Sequence, residues 1–402
     1  MERRTNKIRI LNKPLKLLLP VIIFSQFAGT SLWFAGNAII DAIQKESATA
    51  HADVTSVVQF GFIAGTLLFS ILTIADRFNP ARVFFFSSLI ASIANLFIIW
   101  LANDIFIFPA LRFVTGFFLA GIYPVGMKIA ADLFPKKLGK ALGFLVGALV
   151  LGTAFPHLIR SLLQSVDWKI VVLCTSVLAL AGGLLILLMI PTKNTNTSFR
   201  KMQWRTSLHV FKSKDFRSAA FGYFGHMWEL YAFWAIIPVL LIYYNVLNSK
   251  EINVAFWSFI IIAIGALGCI GGGIVSQKTG SKKVAFYSLL ISGLCCLTSP
   301  FLFESSPPIF LSFLMIWGFT VIADSPQFSA LVAKSAEENN KGTALTIVTC
   351  IGFAITIISI QVLKSLFLKY GEYGLLILAI GPFLGLLFLK STGSLSNNKS
   401  QL

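Results

Sequence analysis

The sequence predicts an all-α integral membrane protein, with twelve transmembrane helices in two pseudo-symmetric six-helix bundles. Three observations carry this. First, of 402 residues 56% are hydrophobic, only 12% are charged, and 38 are Phe. A soluble chain carries about 25% charged residues, so the charge here cannot cover a water-facing surface. A soluble enzyme and a disordered chain are both excluded. Second, twelve stretches are long and apolar enough to cross the bilayer, which takes about 20 helical residues for about 30 Å of hydrocarbon. Third, the second half of the chain echoes the first.

In order, the spans fall near 18–43, 56–75, 83–102, 106–131, 140–163, 168–190, 217–246, 253–276, 284–303, 308–333, 342–368 and 373–390. They are continuous apolar runs, which read as helices rather than alternating barrel strands. Only Asn103 and Asp104 separate the third from the fourth. The first follows a basic stretch but is too long for a signal peptide and reads as a helix that directs insertion. Cys174, Cys269, Cys295, Cys296 and Cys350 all fall inside spans, as small apolar packing residues rather than a disulfide framework.

The net charge is +17, and its distribution is what matters. The tail before the first span carries Arg3, Arg4, Lys7, Arg9, Lys13 and Lys16. The 2–3 turn carries Arg77 and Arg82; the 4–5 turn Lys136, Lys137 and Lys140; the 8–9 turn Lys278, Lys282 and Lys283. The central loop carries Lys193, Arg200, Lys201, Arg205, Lys212, Lys214 and Arg217. The intervening loops hold few cations. Cytoplasmic loops collect Lys and Arg, so both termini and the central loop are expected in the cytoplasm. The excess charge is topology rather than a nucleic-acid surface, helped by attraction to anionic membrane lipids.

The polar stretch 191–216 divides the chain into six spans and six. The expected organisation is a tail over 1–17, a bundle over 18–190, a cytoplasmic linker over 191–216, a second bundle over 217–390 and a tail over 391–402. The fourth span, GFFLAGIYPVGMKIAADLFPKKLGKAL from Gly116, is echoed by the tenth, GFTVIADSPQFSALVAKSAEENNKGTAL from Gly318. Gly116, Phe117 and Pro124 match Gly318, Phe319 and Pro326. Two related halves imply a pseudo-two-fold axis along the membrane normal, with a solute site near the midplane between them.

On these features the chain resembles the major facilitator superfamily of secondary transporters along its whole length. The family's signature is a Gly-x-x-x-Asp-Arg-x-Gly-Arg-Arg-like turn after the second helix, repeated after the eighth. Asp76, Arg77 and Arg82 fit the charged part, with Leu72 and Asn79 in place of glycines. The second copy keeps Gly273, Lys278, Gly280, Lys282 and Lys283, with Gln277 in place of the acid. The family's fourth-helix arginine resembles Arg112 in ALRFVTG. The fifth helix has Gly143, Gly147 and Gly152 without the full antiporter motif, since Pro156 and His157 come later. The resemblance implies that helices 1, 4, 7 and 10 line a central cavity. It also implies that Asp76, Arg77, Arg82, Lys278, Gly280 and Lys282 act in gating, as charges that hold one face closed and release as the halves rock.

Ionisable groups deep in a bilayer are costly and mark candidate sites. Arg112, His226, Glu229 and Asp324 are such groups, and all lie in those four spans. His226 and Glu229 are three apart and are expected on one helix face. A carboxyl balanced between the cost of burial and the pull of a nearby cation can load and release a proton. Asp324 stands beside Pro326, which interrupts the backbone ladder, and Gln327 shares its face. Arg112 is a candidate for binding an anion or neutralising an acid. His157 and Arg160 are weaker candidates, because Arg160 can snorkel to the interface. In the first span Trp33 and Asn37 are four apart, and with Trp234 they are candidates for a solute wall.

No HExxH, GxSxG, Walker loop or paired CxxC appears; no enzymatic activity and no cofactor or metal are expected. The function expected is secondary active transport of a small solute, coupled to protons, by a monomer in a bacterial inner membrane. The solute stays open between an exported drug or metabolite and an imported organic anion. A transport-dead membrane sensor of the same fold is the alternative from another class.

Overall fold

The computed structural model describes residues 15–47, 54–134, 138–162, 167–191, 209–336 and 341–391, and among them every regular element is helical. The basic residues Arg3, Arg4, Lys7, Arg9, Lys13, Lys136, Lys137, Lys193, Arg200, Lys201 and Arg205 lie outside the described residues. So do most of the expected linker and the last eleven residues.

Among the described residues eleven helical segments are long and apolar enough to cross a membrane. The last, Gly342–Lys390, has 49 residues. Continuous helix of that length would reach about 74 Å at 1.5 Å per residue, more than twice the hydrocarbon thickness. It folds back at Gly371, whose φ of +58° suits glycine. A Cβ at Gly374 would overlap the Leu366–Phe367 backbone, so the returning chain lies directly on the outgoing one. The segment therefore supplies two crossings, Lys341–Tyr370 (span 11) and Gly371–Ala379 with Ile380–Ser391 (span 12).

The other uninterrupted crossings are Val54–Ile71 (span 2), Pro80–Leu101 (span 3), Leu138–Leu162 (span 5), Lys169–Met189 (span 6) and Lys214–Asn248 (span 7). Four crossings expected as single helices are broken instead. Span 1 is Leu15–Thr30 and Ala35–Ser47; span 4 is Ile107–Leu119 and Tyr123–Leu133. Span 8 is Val254–Ala263 and Gly265–Thr279; span 10 is Pro307–Ala323 and Ser325–Ser335. Span 9, Ser281–Thr298, ends in a 3₁₀ turn at Ser299–Leu302.

Local chemistry explains the ends. Asp104 accepts from the N–H groups of Phe106 (2.8 Å) and Ile107 (2.9 Å), capping span 4. Those two N–H groups, Ile107 foremost, hold its carboxyl below the usual carboxylate range. Asn79 occupies a glycine position of the family's turn because it caps span 3, accepting from Ala81 N at 2.9 Å, with Pro80 at the first helical position.

Close crossings explain the repeated glycines. A Cβ at Gly116 would overlap the Val58 carbonyl, so span 4 lies backbone to backbone on span 2. A Cβ at Gly318 would overlap the Ile261 carbonyl, and span 10 lies on span 8 in the same way. Small residues permit such approach between membrane helices.

Contacts also join residues before and after the central linker. Ser56, Gln59 and Ser70 of span 2 meet Gln361, Thr356 and Thr346 of span 11, with 3.1 Å at the first and last pairs. Gly143 and Gly147 of span 5 face the Cys269 and Ala266 carbonyls of span 8.

Candidate functional site

The site begins where helices break. In span 1 the hydroxyls of Thr30 and Ser31 turn back to Gln26 O (2.8 Å) and Ala28 O (2.7 Å), and the helix stops. The Leu32 and Trp33 carbonyls then need other donors. Arg112 Nη2 supplies them, at 2.9 and 2.7 Å, while its Nη1 donates to Asn95 Oδ1 at 3.0 Å. Asn95 in turn donates to Ser176 Oγ at 2.9 Å. Arg112 is fully buried, and its partners are neutral. It ties span 4 to the break in span 1, to span 3 and, through Asn95, to span 6. Among the described residues the two terminal nitrogens bond to neutral oxygens, while Arg112 Nε has no hydrogen-bonding partner.

Span 10 breaks at Asp324. Pro326 lacks the N–H that Ile322 O would accept in an unbroken helix. The Cys269 thiol of span 8 donates to that carbonyl instead, at 3.4 Å. At the break Asp324 Oδ1 stands 2.8 Å from His226 Nδ1 of span 7, and each side chain is 1% exposed. The approach is an ion-pair contact rather than a hydrogen bond: none of the four polar side-chain atoms, His226 Nδ1 and Nε2 and Asp324 Oδ1 and Oδ2, makes a hydrogen bond among the described residues. Gln327, buried one turn on, bonds through its backbone N–H to Asp324 O at 2.9 Å.

His226 and Glu229 meet different partners. Spacing puts them on adjoining positions, yet His226 turns to span 10 and Glu229 to span 9 and the other helix of span 10. Glu229 accepts from Ser292 Oγ (3.0 Å), Cys296 Sγ (3.3 Å) and Trp317 Nε1 (2.6 Å).

Trp33 and Asn37 also part company. Trp33 lies in the break rather than in a helix, so four-residue spacing does not align them. Asn37 Nδ2 donates to Thr55 Oγ1 at 2.5 Å. Trp33 joins Phe62, Tyr231 and Phe353, with ring centroids 4.9, 5.7 and 5.6 Å away. Trp234 packs on Tyr231 at 5.2 Å and on Phe34 at 6.2 Å. Rings from spans 1, 2, 7 and 11 thus form one buried cluster. The indole N–H groups of Trp33 and Trp234 have no partner among the described residues.

Of the expected gating residues, Asp76 pairs with Lys128 of the second helix of span 4. Arg77, Arg82 and Lys278 are exposed, and Lys282 is half-buried. Gly280 ends span 8 with a φ of +87°, a conformation that glycine alone adopts readily. His157 is buried with Nε2 unpartnered among the described residues. Arg160 lines a cavity of about 380 Å³ with Glu251, Asn253, Val254 and Ala255, between the end of span 5 and the start of span 8.

Lys128, Asn95, Cys269, Ser292, Cys296 and Trp317 were not expected from the sequence as site residues. Lys128 and Asn95 were findable as polar groups inside apolar runs. The others resemble ordinary packing residues, and only the fold brings them to a carboxyl or a freed carbonyl.

The fold matches solved transporters over nearly its whole length. The human organic anion transporter MFSD10 (TETRAN) superposes with a TM-score of 0.72 at 14% identity, covering 94% of this chain and 100% of that one. FucP, a Major Facilitator Superfamily transporter in the outward conformation, gives a TM-score of 0.67 at 14% identity, covering 94% and 99%. No curated protein matches the sequence. The family model for the Major Facilitator Superfamily matches residues 18–360, and the chain, a multi-pass membrane protein, belongs to that family of solute transporters.

Proposed function

We propose that this protein is a proton-coupled secondary transporter that moves a small solute by rocking two six-helix halves, 18–190 and 217–390, about a midplane site. The observation that carries the coupling is the His226–Asp324 contact: an imidazole and a carboxyl 2.8 Å apart, each 1% exposed, at the break in span 10. One proton more or less on this pair changes its net charge inside the membrane. That change favours one arrangement of the surrounding helices over another. None of the four polar side-chain atoms of the pair is committed to a hydrogen bond among the described residues, which leaves both groups able to take or give up a proton.

The solute is assigned to the space between the halves, where Trp33, Tyr231, Trp234 and Phe353 meet. Aromatic walls with a few polar groups suit a small organic solute. The contacts of span 2 with span 11 and of span 5 with span 8 support a closed arrangement that opens as the halves rock. On this reading Asp76 and Lys128 brace the 2–3 turn within one half, while Arg77, Arg82, Lys278, Gly280 and Lys282 shape the facing turns. Both termini and the linker face the cytoplasm of a bacterial cell, by the distribution of Lys and Arg. The protein works as a monomer.

The test uses proteoliposomes loaded with the pH dye pyranine and challenged with a panel of sugars, organic acids and amphiphilic drugs. The wild type is expected to move protons with at least one panel member, and Asp324→Asn to move none. Proton movement at the wild-type rate in Asp324→Asn would remove the assignment.

A further inference from the structure

Glu229 is a buried acid that the proton route through His226 and Asp324 does not use. Both of its oxygens act as acceptors: Oε1 takes Trp317 Nε1 and Cys296 Sγ, and Oε2 takes Ser292 Oγ. All four side chains are at most 1% exposed. The donors come from two helices. Ser292 and Cys296 are one turn apart on span 9, and Trp317 is on span 10. The Trp317 ring is held in turn by Phe233 of span 7, at 4.5 Å, and by Phe313 of its own helix, at 5.8 Å.

Spans 7 and 10 therefore meet at two polar ties. Moving from His226 to Glu229 along span 7 corresponds to moving from Asp324 back to Trp317 along span 10, as antiparallel helices require. One tie leaves the two helices free to rotate about it; two fix their relative orientation as well as their register. A slip of one residue moves a helix by about 1.5 Å, enough to lose a 2.8 Å contact.

We infer that Glu229 is a positioning residue: it locks span 7 in register on spans 9 and 10, so that His226 is held against Asp324. The first half of the chain has a counterpart. There Arg112 fixes span 4 to spans 1 and 3, again with one buried ionisable side chain and three neutral partners. This inference rests on the reading of His226 and Asp324 as the proton site only for the purpose it gives the lock.

Glutamine separates positioning from proton carriage. Its Oε1 can accept from Trp317 and Cys296, and its amide can donate to Ser292, whose hydroxyl can turn to accept. Alanine accepts nothing and leaves the indole N–H unpartnered.

The experiment is solid-state NMR of the full-length protein in lipid, with ¹⁵N-labelled histidine and the His226 signals assigned by His226→Asn. Thermal unfolding is measured alongside. Glu229→Gln is expected to keep the His226 Nδ1 shift and the unfolding midpoint of the wild type. Glu229→Ala is expected to shift that signal and lower the midpoint by several degrees. Trp317→Phe, which removes the N–H but keeps a ring, is expected to shift the signal in the same direction even if the alanine variant does not fold. A His226 signal that moves in Glu229→Gln, or stays put in Trp317→Phe, would overturn the inference. No solute is transported in this experiment, so its outcome is independent of the transport test.

Discussion

Arg112 shows how one side chain can be read two ways. A lone arginine inside a span is expected to meet an anion or an acid, but here two of its nitrogens serve the ends of a broken helix and an asparagine. Arg112→Lys should destabilise the protein, because one ammonium cannot reach all three acceptors in the directions of a guanidinium. Arg112→Met should cost about 2–4 kcal/mol, from the buried acceptors left unpaired, read as a lower thermal midpoint. An anion site would instead predict normal stability with lost uptake. The residue identities at this scale were legible where burial of charge is unusual: His226, Glu229, Asp324 and Arg112 all stood out. Their partners were not, because pairing depends on which way each helix faces. His226 and Glu229 are separated by less than one turn, and that rotation sends one to span 10's break and the other to span 9.

At the scale of elements, the number and order of crossings follow from length and apolar content. Breaks do not. Pro326 gave a local warning in span 10, and Pro124 in span 4, but span 1 breaks without a proline at 31–34, where the Thr30 and Ser31 hydroxyls bond back to their own helix and Arg112 takes the carbonyls that follow. At two of the four breaks a side chain from another span meets the freed carbonyls, Arg112 for span 1 and Cys269 for span 10. Cys269→Ser should leave the span 10 break intact, since a hydroxyl also donates. Cys269→Ala should lower stability by about 1 kcal/mol or less, through loss of the thiol's bond to the Ile322 carbonyl, which keeps the Asp324 N–H, measurable as a lower thermal midpoint than the serine variant. The matched glycines of the two halves have a steric origin. Gly116→Leu and Gly318→Leu should each destabilise by about 1–3 kcal/mol or more, through forced separation of spans 4 and 2 or 10 and 8.

Across the whole molecule, contacts join the two parts of the chain along spans 2 and 11 and along spans 5 and 8. If the halves rock, one end of each seam has to open. Ser70 Oγ and Thr346 Oγ1 are 3.1 Å apart near one end of the first seam. The double variant Ser70→Cys, Thr346→Cys should form an oxidant-dependent cross-link that stops transport, with activity restored by reductant; transport at full rate in the cross-linked protein would exclude opening there. The repeat in the sequence already pointed to two halves, but which faces meet could not be read from it, because both seams are built from small and polar residues common to all spans. The most direct measurement of proton-coupled transport through His226 and Asp324 is solute accumulation in proteoliposomes, for a panel solute the wild type takes up, with and without a pH gradient. Gradient-dependent accumulation is predicted for the wild type and for Glu229→Gln, and none for Asp324→Asn. Accumulation that ignores the gradient, or that survives unchanged in Asp324→Asn, would contradict it.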